Sequence, residues 1–96
     1  MEVVAEVSMQ SLLRAILSMN FMKEYHWHAI EANISRSTAE FEDLTFTIPN
    51  SKSPILKVGI FFEGSQYIIL WFDKEVDLQK LFNDLKILIN ECVDYD

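Results

Sequence analysis

Glycine, proline and cysteine are scarce in this chain of 96 residues, which holds two glycines, two prolines and one cysteine. So few chain breakers predict long helices and strands joined by few loops. Two glycines also rule out a glycine-rich phosphate loop. One cysteine cannot form a disulfide within the chain, and no signal-peptide pattern stands at the N-terminus. Both observations predict a cytoplasmic protein.

Basic residues are also few, because eight lysines and arginines stand against 15 aspartates and glutamates and give a formal net charge of −7. A chain with this balance lacks the basic surface that binds nucleic-acid phosphates or anionic membranes. The apolar N-terminal stretch, residues 1–22, is interrupted by charged and polar side chains and does not read as a membrane span. We therefore expect a protein partner, with no direct binding to nucleic acid or to a membrane.

Hydrophobic residues, by contrast, make up half of the chain, and 12% of the residues are aromatic. That composition is typical of a folded chain, and the length fits a single domain over residues 1–96. Residues 93–96 follow the last predicted helix and are expected to form a frayed tail.

The hydrophobic periodicity predicts an α+β fold. Apolar residues at helical spacing predict helices over residues 3–21 and 78–92, the second with Asp73 or Asp77 as its N-cap. Between them, residues 23–34, residues 41–48 and the two arms of a hairpin predict four strands. The expected architecture is a helix, a four-stranded antiparallel meander and a C-terminal helix, arranged as a two-layer sandwich that dimerises through the sheet.

The hairpin, residues 56–72, is the most informative segment because it is apolar on both faces. Gly64 and Ser65 suit a two-residue turn, which sets Phe62 opposite Tyr67. The face expected to take the helices then carries Leu56, Val58, Ile60, Phe62, Tyr67, Ile69 and Trp71. An antiparallel sheet normally exposes one face to water, so the other apolar face predicts an interface, unless the two faces are exchanged. The contact residues predicted for that interface are Phe61, Ile68, Leu70 and Phe72.

Acidic residues cluster at turns and strand ends, most clearly at Glu40, Glu42 and Asp43. Such a cluster is typical of a solvated edge. It also permits a functional interpretation, in which carboxylates imitate the charge of nucleic acid or bind a basic partner surface. A nucleic-acid-mimicking inhibitor, or an immunity or antitoxin protein acting through acidic patches, is the alternative function that follows from this cluster.

His26 and His28 have metal-ligand spacing, since alternate residues of a strand point to one face. Glu24 lies on the same face and would be the third ligand of a metal-binding protein, which is a further alternative. Structural or surface histidines are the simpler interpretation. Cys92 lies on the apolar stripe of the last helix, as a buried and unreactive thiol would. No motif predicts catalysis or a cofactor, so we do not expect an enzyme.

The run YIILWFD, residues 67–73, followed by an amphipathic helix, is similar to the way pleckstrin-homology-like domains end. Such domains place more strands before that helix, and this sequence starts with a helix instead. The similarity therefore implies no ligand site.

Together these patterns predict a small acidic protein-interaction module. We expect a homodimeric regulator or inhibitor that binds another macromolecule. Inhibitors, immunity and antitoxin factors, and proteins of viruses and mobile elements are often small, acidic and free of motifs, and this expectation rests on that class alone.

Overall fold

The computed structural model describes residues 5–18, 21, 25, 27–48, 50, 52, 55–73 and 75–94. Within these residues the chain forms six strands and two helices. In chain order they are β1 (Glu6–Ser8), α1 (Met9–Ile16), β2 (Trp27–Asn33), β3 (Thr38–Thr47), β4 (Ile55–Phe62), β5 (Gln66–Asp73), α2 (Leu78–Glu91) and β6 (Val93–Asp94). Neither of these helices has the length and apolar character that crossing a membrane would require.

The strands pair antiparallel in one curled, half-barrel sheet with the order β2-β5-β4-β3-β1-β6. The predicted four-stranded meander is therefore wrong. β3, β4 and β5 do form a meander, but β2 lies beside β5, so the connection from β2 to β3 crosses two strands, β5 and β4. β1 and β6 were missed because strands of three and two residues are too short to show an alternating pattern.

The N-terminal helix is shorter than predicted, because β1 takes up the residues before it. Val7 is β-branched and pairs with Ala39 of β3, which favours a strand at that position. α1 begins after Ser8, its N-cap residue. Val93 pairs with Val7 from the other side, so residues 93 and 94 of the predicted frayed tail belong to the sheet. Residues 95 and 96, the rest of that tail, lie outside the described residues.

The hairpin between β4 and β5 turns over three residues, 63–65, and not over two. Phe62 pairs with Gln66, one residue earlier than predicted. Gly64 and Ser65 both take positive φ angles, 79° and 60°, within this loop. Because side chains alternate along a strand, a slip of one residue moves a whole set of side chains to the opposite face. The predicted division of the hairpin into two faces is therefore wrong for β5.

The core face of the hairpin is the face that the helices cover. It consists of Leu56, Val58, Ile60, Phe62, Gln66, Ile68, Leu70 and Phe72, all of them buried. The buried stripes of α1 and α2 join the same hydrophobic cluster; they are Met9, Leu12, Ile16, Leu81, Leu85 and Ile89. The core thus lies between this face and the two helices.

Gln66 is the one polar side chain that is fully buried among the described residues, with 1% of its surface exposed. Its Oε1 accepts hydrogen bonds from the backbone N–H groups of Ser35 and Arg36, both at 3.0 Å. Its Nε2 donates to the carbonyl of Glu63 at 3.0 Å. These three bonds satisfy the amide and tie the β2–β3 connection to the end of the hairpin.

Asp77, one of the two predicted N-cap residues, precedes α2 and caps it. Its carboxylate accepts a hydrogen bond from the backbone N–H of Lys80 at 3.2 Å.

Tyr25 is buried against the core, and its hydroxyl donates to Asp84 Oδ2 at 2.5 Å. Lys80 Nζ stands 3.2 Å from the same carboxylate oxygen. Burial and the bond to Asp84 raise the pKa of Tyr25 to about 12, and the same bond lowers the pKa of Asp84.

Candidate binding face

The outer face of the sheet is the face that points away from the helices. Across β3, β4, β5 and β2 it carries three rows of paired residues. The rows are Asp43–Phe61–Tyr67–Asn33, Thr45–Gly59–Ile69–Glu31 and Thr47–Lys57–Trp71–Ala29. The large apolar side chains of these rows lie in the two middle strands, β4 and β5, with polar and acidic residues on both sides.

Three aromatic side chains, Phe61, Tyr67 and Trp71, are partly exposed on the outer face and form what we call the aromatic strip. The ring of Phe61 lies over Gly59, where a Cβ atom would collide with it. The Nζ atom of Lys57 stands 5.4 Å from the centre of the Trp71 ring. The aromatic strip therefore already holds one cation of the chain itself at cation–π distance.

Carboxylates border the aromatic strip on the side of β3, β1 and β6. Glu6 pairs with Glu40 on one side and with Asp94 on the other, so three acidic residues share one row. Their neighbours Val7 and Ala39 are buried, which directs the row to the outer face. Like charges that face each other across strands destabilise a sheet, so the row concentrates negative charge where a sheet does not favour it. Within the row, Glu6 Oε2 accepts a hydrogen bond from Thr38 Oγ1 at 3.1 Å.

A groove of about 710 Å³ opens at the hairpin end of the outer face. Phe61 and Tyr67 provide aromatic surface, and Glu42 and Asp43 provide carboxylates. One Asp43 oxygen accepts from the backbone N–H of Leu44 at 2.9 Å, which holds the side chain in place. The groove thus joins the aromatic strip to its acidic border.

Of the four residues predicted as interface contacts, three lie in the core. Ile68, Leu70 and Phe72 have no exposed surface and pack under the helices. Phe61 alone lies on the outer face. The physical reason for this correction is the three-residue hairpin loop, which exchanges the faces of β5 relative to β4.

The predicted acidic patch is brought together in part. Asp43 and Glu40 both project to the outer face, and Glu42 lies at the β-bulge between Phe41 and Asp43, where it lines the groove. Sequence reasoning missed Glu6, because that residue was assigned to a helix. It also missed Tyr67 and Trp71, which the predicted register had placed under the helices.

The pair His26 and His28 is only partly described, since His26 and Glu24 lie outside the described residues. His28 sits at a β-bulge between Trp27 and Ala29 of β2. Its Nε2 stands 2.6 Å from Asp73 Oδ1, and both side chains are half exposed. Within the described part of the chain, no three histidine, cysteine, aspartate or glutamate side chains come together as a metal site.

Cys92 is buried at the C-terminal end of α2, as its place on the apolar stripe predicted. Burial raises the pKa of the Cys92 thiol, and the charge of Glu91 adds to the effect. The thiolate is the nucleophilic form, so this setting makes the thiol less reactive.

Comparison of the chain with protein-family models, with curated proteins and with solved structures finds no match. Functional inference for this chain therefore rests on its own residues and geometry.

Proposed function

We propose that this protein is an interaction module that binds a basic segment of a partner protein on the outer face of its sheet. The observation that carries the proposal is the aromatic strip, left uncovered by the helices and bordered by carboxylates. Tyrosine and tryptophan are enriched in interfaces, because they offer a large apolar area together with a polar group. The acidic border selects partners by charge. A module of this kind would act as a regulator or inhibitor by occupying its partner.

The charges on the outer face favour a basic partner over a second copy of the chain. Glu6, Glu40 and Asp43 stand on one side of the aromatic strip and Glu31 on the other. Two such faces brought together would set acidic border against acidic border, and like charges placed together across an interface cost several kcal/mol. Three of the residues that supported the homodimer are in the core. Self-association is therefore the competing prediction, and light scattering tests it: we expect the 11.2 kDa mass of one chain.

The proposal is tested with two synthetic octapeptides, one of alternating arginine and leucine and one of alternating arginine and serine. Both have the same charge, so any difference between them reports apolar contact. We expect the arginine–leucine peptide to bind with a dissociation constant on the order of 10 μM at low salt, and the arginine–serine peptide at least about tenfold more weakly. Isothermal titration calorimetry measures both.

Two variants locate the binding. Tyr67→Ser removes part of the aromatic strip without changing the charge of the protein, and it should weaken binding of the arginine–leucine peptide by about tenfold. Glu91→Gln, on α2, removes one charge away from the outer face and is the control. Equal binding of the two peptides, or equal effects of the two variants, would show that only the net charge of the protein attracts the peptide.

A second candidate function is a nucleic-acid-mimicking inhibitor, favoured by the row of carboxylates at Asp94, Glu6 and Glu40. In a mimic the carboxylates take the place of phosphates and the aromatic strip contributes little. Glu6→Gln should then weaken binding more than Tyr67→Ser, and the affinity should fall steeply between about 50 mM and about 300 mM salt. The opposite order supports the module with the aromatic strip.

A further inference from the structure

We propose that the groove receives the side chain of an arginine from the partner; this step rests on the proposed function and specifies its chemistry. A guanidinium group stacks on aromatic faces and forms paired, charge-assisted hydrogen bonds with carboxylates. The groove offers both, with Phe61 and Tyr67 as the aromatic surface and Glu42 and Asp43 as the acceptors. Asp43, Phe61 and Tyr67 are consecutive members of one cross-strand row, so they lie about 5 to 10 Å apart.

The position of the Phe61 ring keeps the groove open. The ring leans along β4 over Gly59, and Phe61 lines the groove together with Asp43 and Tyr67. This arrangement requires glycine, because a Cβ at position 59 would collide with the ring and stand 2.9 Å from Thr45 Oγ1. A larger residue would push the ring toward the row that borders the groove. Gly59 is thus a positioning residue for the site, although it does not line the groove.

Charge and size both fit an arginine. The described residues that line the groove include two carboxylates and no basic side chain. Lys57, which stands over Trp71 two rows away, shows that this face can hold a cation against an aromatic ring. A volume of about 710 Å³ admits the methylene stem together with the guanidinium. The planar guanidinium can stack flat on a ring and form two parallel hydrogen bonds with one carboxylate, whereas the ammonium of lysine acts as a point charge without this paired geometry.

The probe is N-acetyl-arginine amide, titrated into the ¹⁵N-labelled full chain and followed by NMR. N-acetyl-citrulline amide is the control, since it has nearly the same shape and no charge. We expect saturable shifts at Asp43, Phe61 and Tyr67, with a dissociation constant on the order of 1 to 10 mM for the arginine compound. The citrulline compound should bind at least about tenfold more weakly, and N-acetyl-lysine amide should fall between the two.

Two matched pairs of variants test the site. Asp43→Asn removes the negative charge but keeps an oxygen that can accept from the Leu44 N–H. It should weaken binding of the arginine compound by about tenfold. Glu91→Gln removes one charge on α2, away from the outer face, and should leave the affinity within about twofold. Gly59→Ala should weaken binding by displacing the Phe61 ring, whereas Thr47→Ala, on β3 outside the groove, should not. If Gly59→Ala does not fold, the Asp43 and Glu91 pair decides alone.

The outcomes separate this inference from the proposed function. Shifts confined to Trp71 and Glu31 would overturn the groove as the arginine site, while a basic segment could still bind the outer face. Equal binding of the arginine and citrulline compounds, or equal loss of binding in Asp43→Asn and Glu91→Gln, would also overturn it. No shift from any compound, together with failure of the arginine–leucine peptide, would remove both proposals.

Discussion

The core face and the outer face of the β4–β5 hairpin are both rich in large apolar side chains, yet only one of them is covered by the helices. The core face is mostly aliphatic, whereas the outer face carries three aromatic side chains among smaller and polar residues. On the outer face of β4, Phe61 follows Lys57 and Gly59. On β5, the hydroxyl of Tyr67 and the indole N–H of Trp71 supply polar groups. Such side chains can be exposed to water in the free protein, because each has a polar group, and their apolar surface stabilises a complex when a partner covers it. The comparison indicates that an uncovered apolar face can be a binding face when its residues suit both conditions.

The largest effect is expected from placing one charge on each face at neighbouring positions. Leu70→Asp puts a carboxylate into the core, where Leu70 has no exposed surface, and should cost more than about 4 kcal/mol. That is a large fraction of the stability of a domain of this size, so we expect the variant to be mostly unfolded. Urea unfolding followed by circular dichroism measures the change.

Trp71→Asp is the matched control, since it makes the same change to an adjacent residue on the outer face. It should cost less than about 1.5 kcal/mol and leave a folded protein, because Trp71 is partly exposed and the new carboxylate stands beside Lys57. If both variants are equally stable, the register of the hairpin is not the one described.

The sequence allowed the helices and the longer strands to be predicted, because their apolar residues repeat over many positions. The 14-residue α2 and its cap at Asp77 illustrate this. The strand order could not be predicted, because β1 and β6 are too short to show a period and pairing between distant segments leaves no local signal. The hairpin register was missed because a loop of two residues and a loop of three residues both leave long apolar runs. Gln66 was the available clue, since a polar residue so placed can be buried when its bonds are satisfied.

The candidate site could be predicted less well than the fold. Asp43, Glu40 and Phe61 were singled out from composition and alternation, and they do reach the outer face. Their combination with Tyr67 and with Glu6 depends on the register and on the order of strands. A site that is assembled across four strands cannot be read from any one segment. The same dependence explains why an error of one residue moved three predicted contacts into the core.

A smaller effect is expected at the polar end of the core face. Gln66→Leu keeps the size of the side chain but leaves the N–H groups of Ser35 and Arg36 without their acceptor. The cost should be about 2 to 3 kcal/mol, because partly buried donors lose their bonds and are not fully solvated. Urea unfolding measures it. Gln79→Leu, at an exposed position of α2 where Gln79 Nε2 donates to Asn83 Oδ1, is the control and should change the stability by no more than about 0.5 kcal/mol. Equal effects would show that the Gln66 bonds add nothing to stability.

The smallest effect is expected where Tyr25 covers the core face, and it should depend on pH. Tyr25→Phe keeps the ring, whose centre lies 6.0 Å from that of Phe72, but removes the hydroxyl bond to Asp84. At pH 7 this should cost about 1.5 kcal/mol. The pKa of Tyr25 is raised to about 12 in the folded state, so the hydroxyl contributes fully below its usual pKa of 10.0 and loses that contribution as the pH rises through about 12.

The unchanged chain should therefore lose more stability than Tyr25→Phe between about pH 10 and about pH 12, and the difference between them should shrink. On the acid side the bond to Tyr25 lowers the pKa of Asp84, so that contribution is present above the usual pKa of a carboxyl and is lost as the pH falls through the lowered value. Urea unfolding at a series of pH values measures both trends. A difference that stays constant over the whole range would mean that the two groups titrate alike in the folded and unfolded states. In that case the Tyr25–Asp84 bond does not stabilise the packing of α2 against the core face.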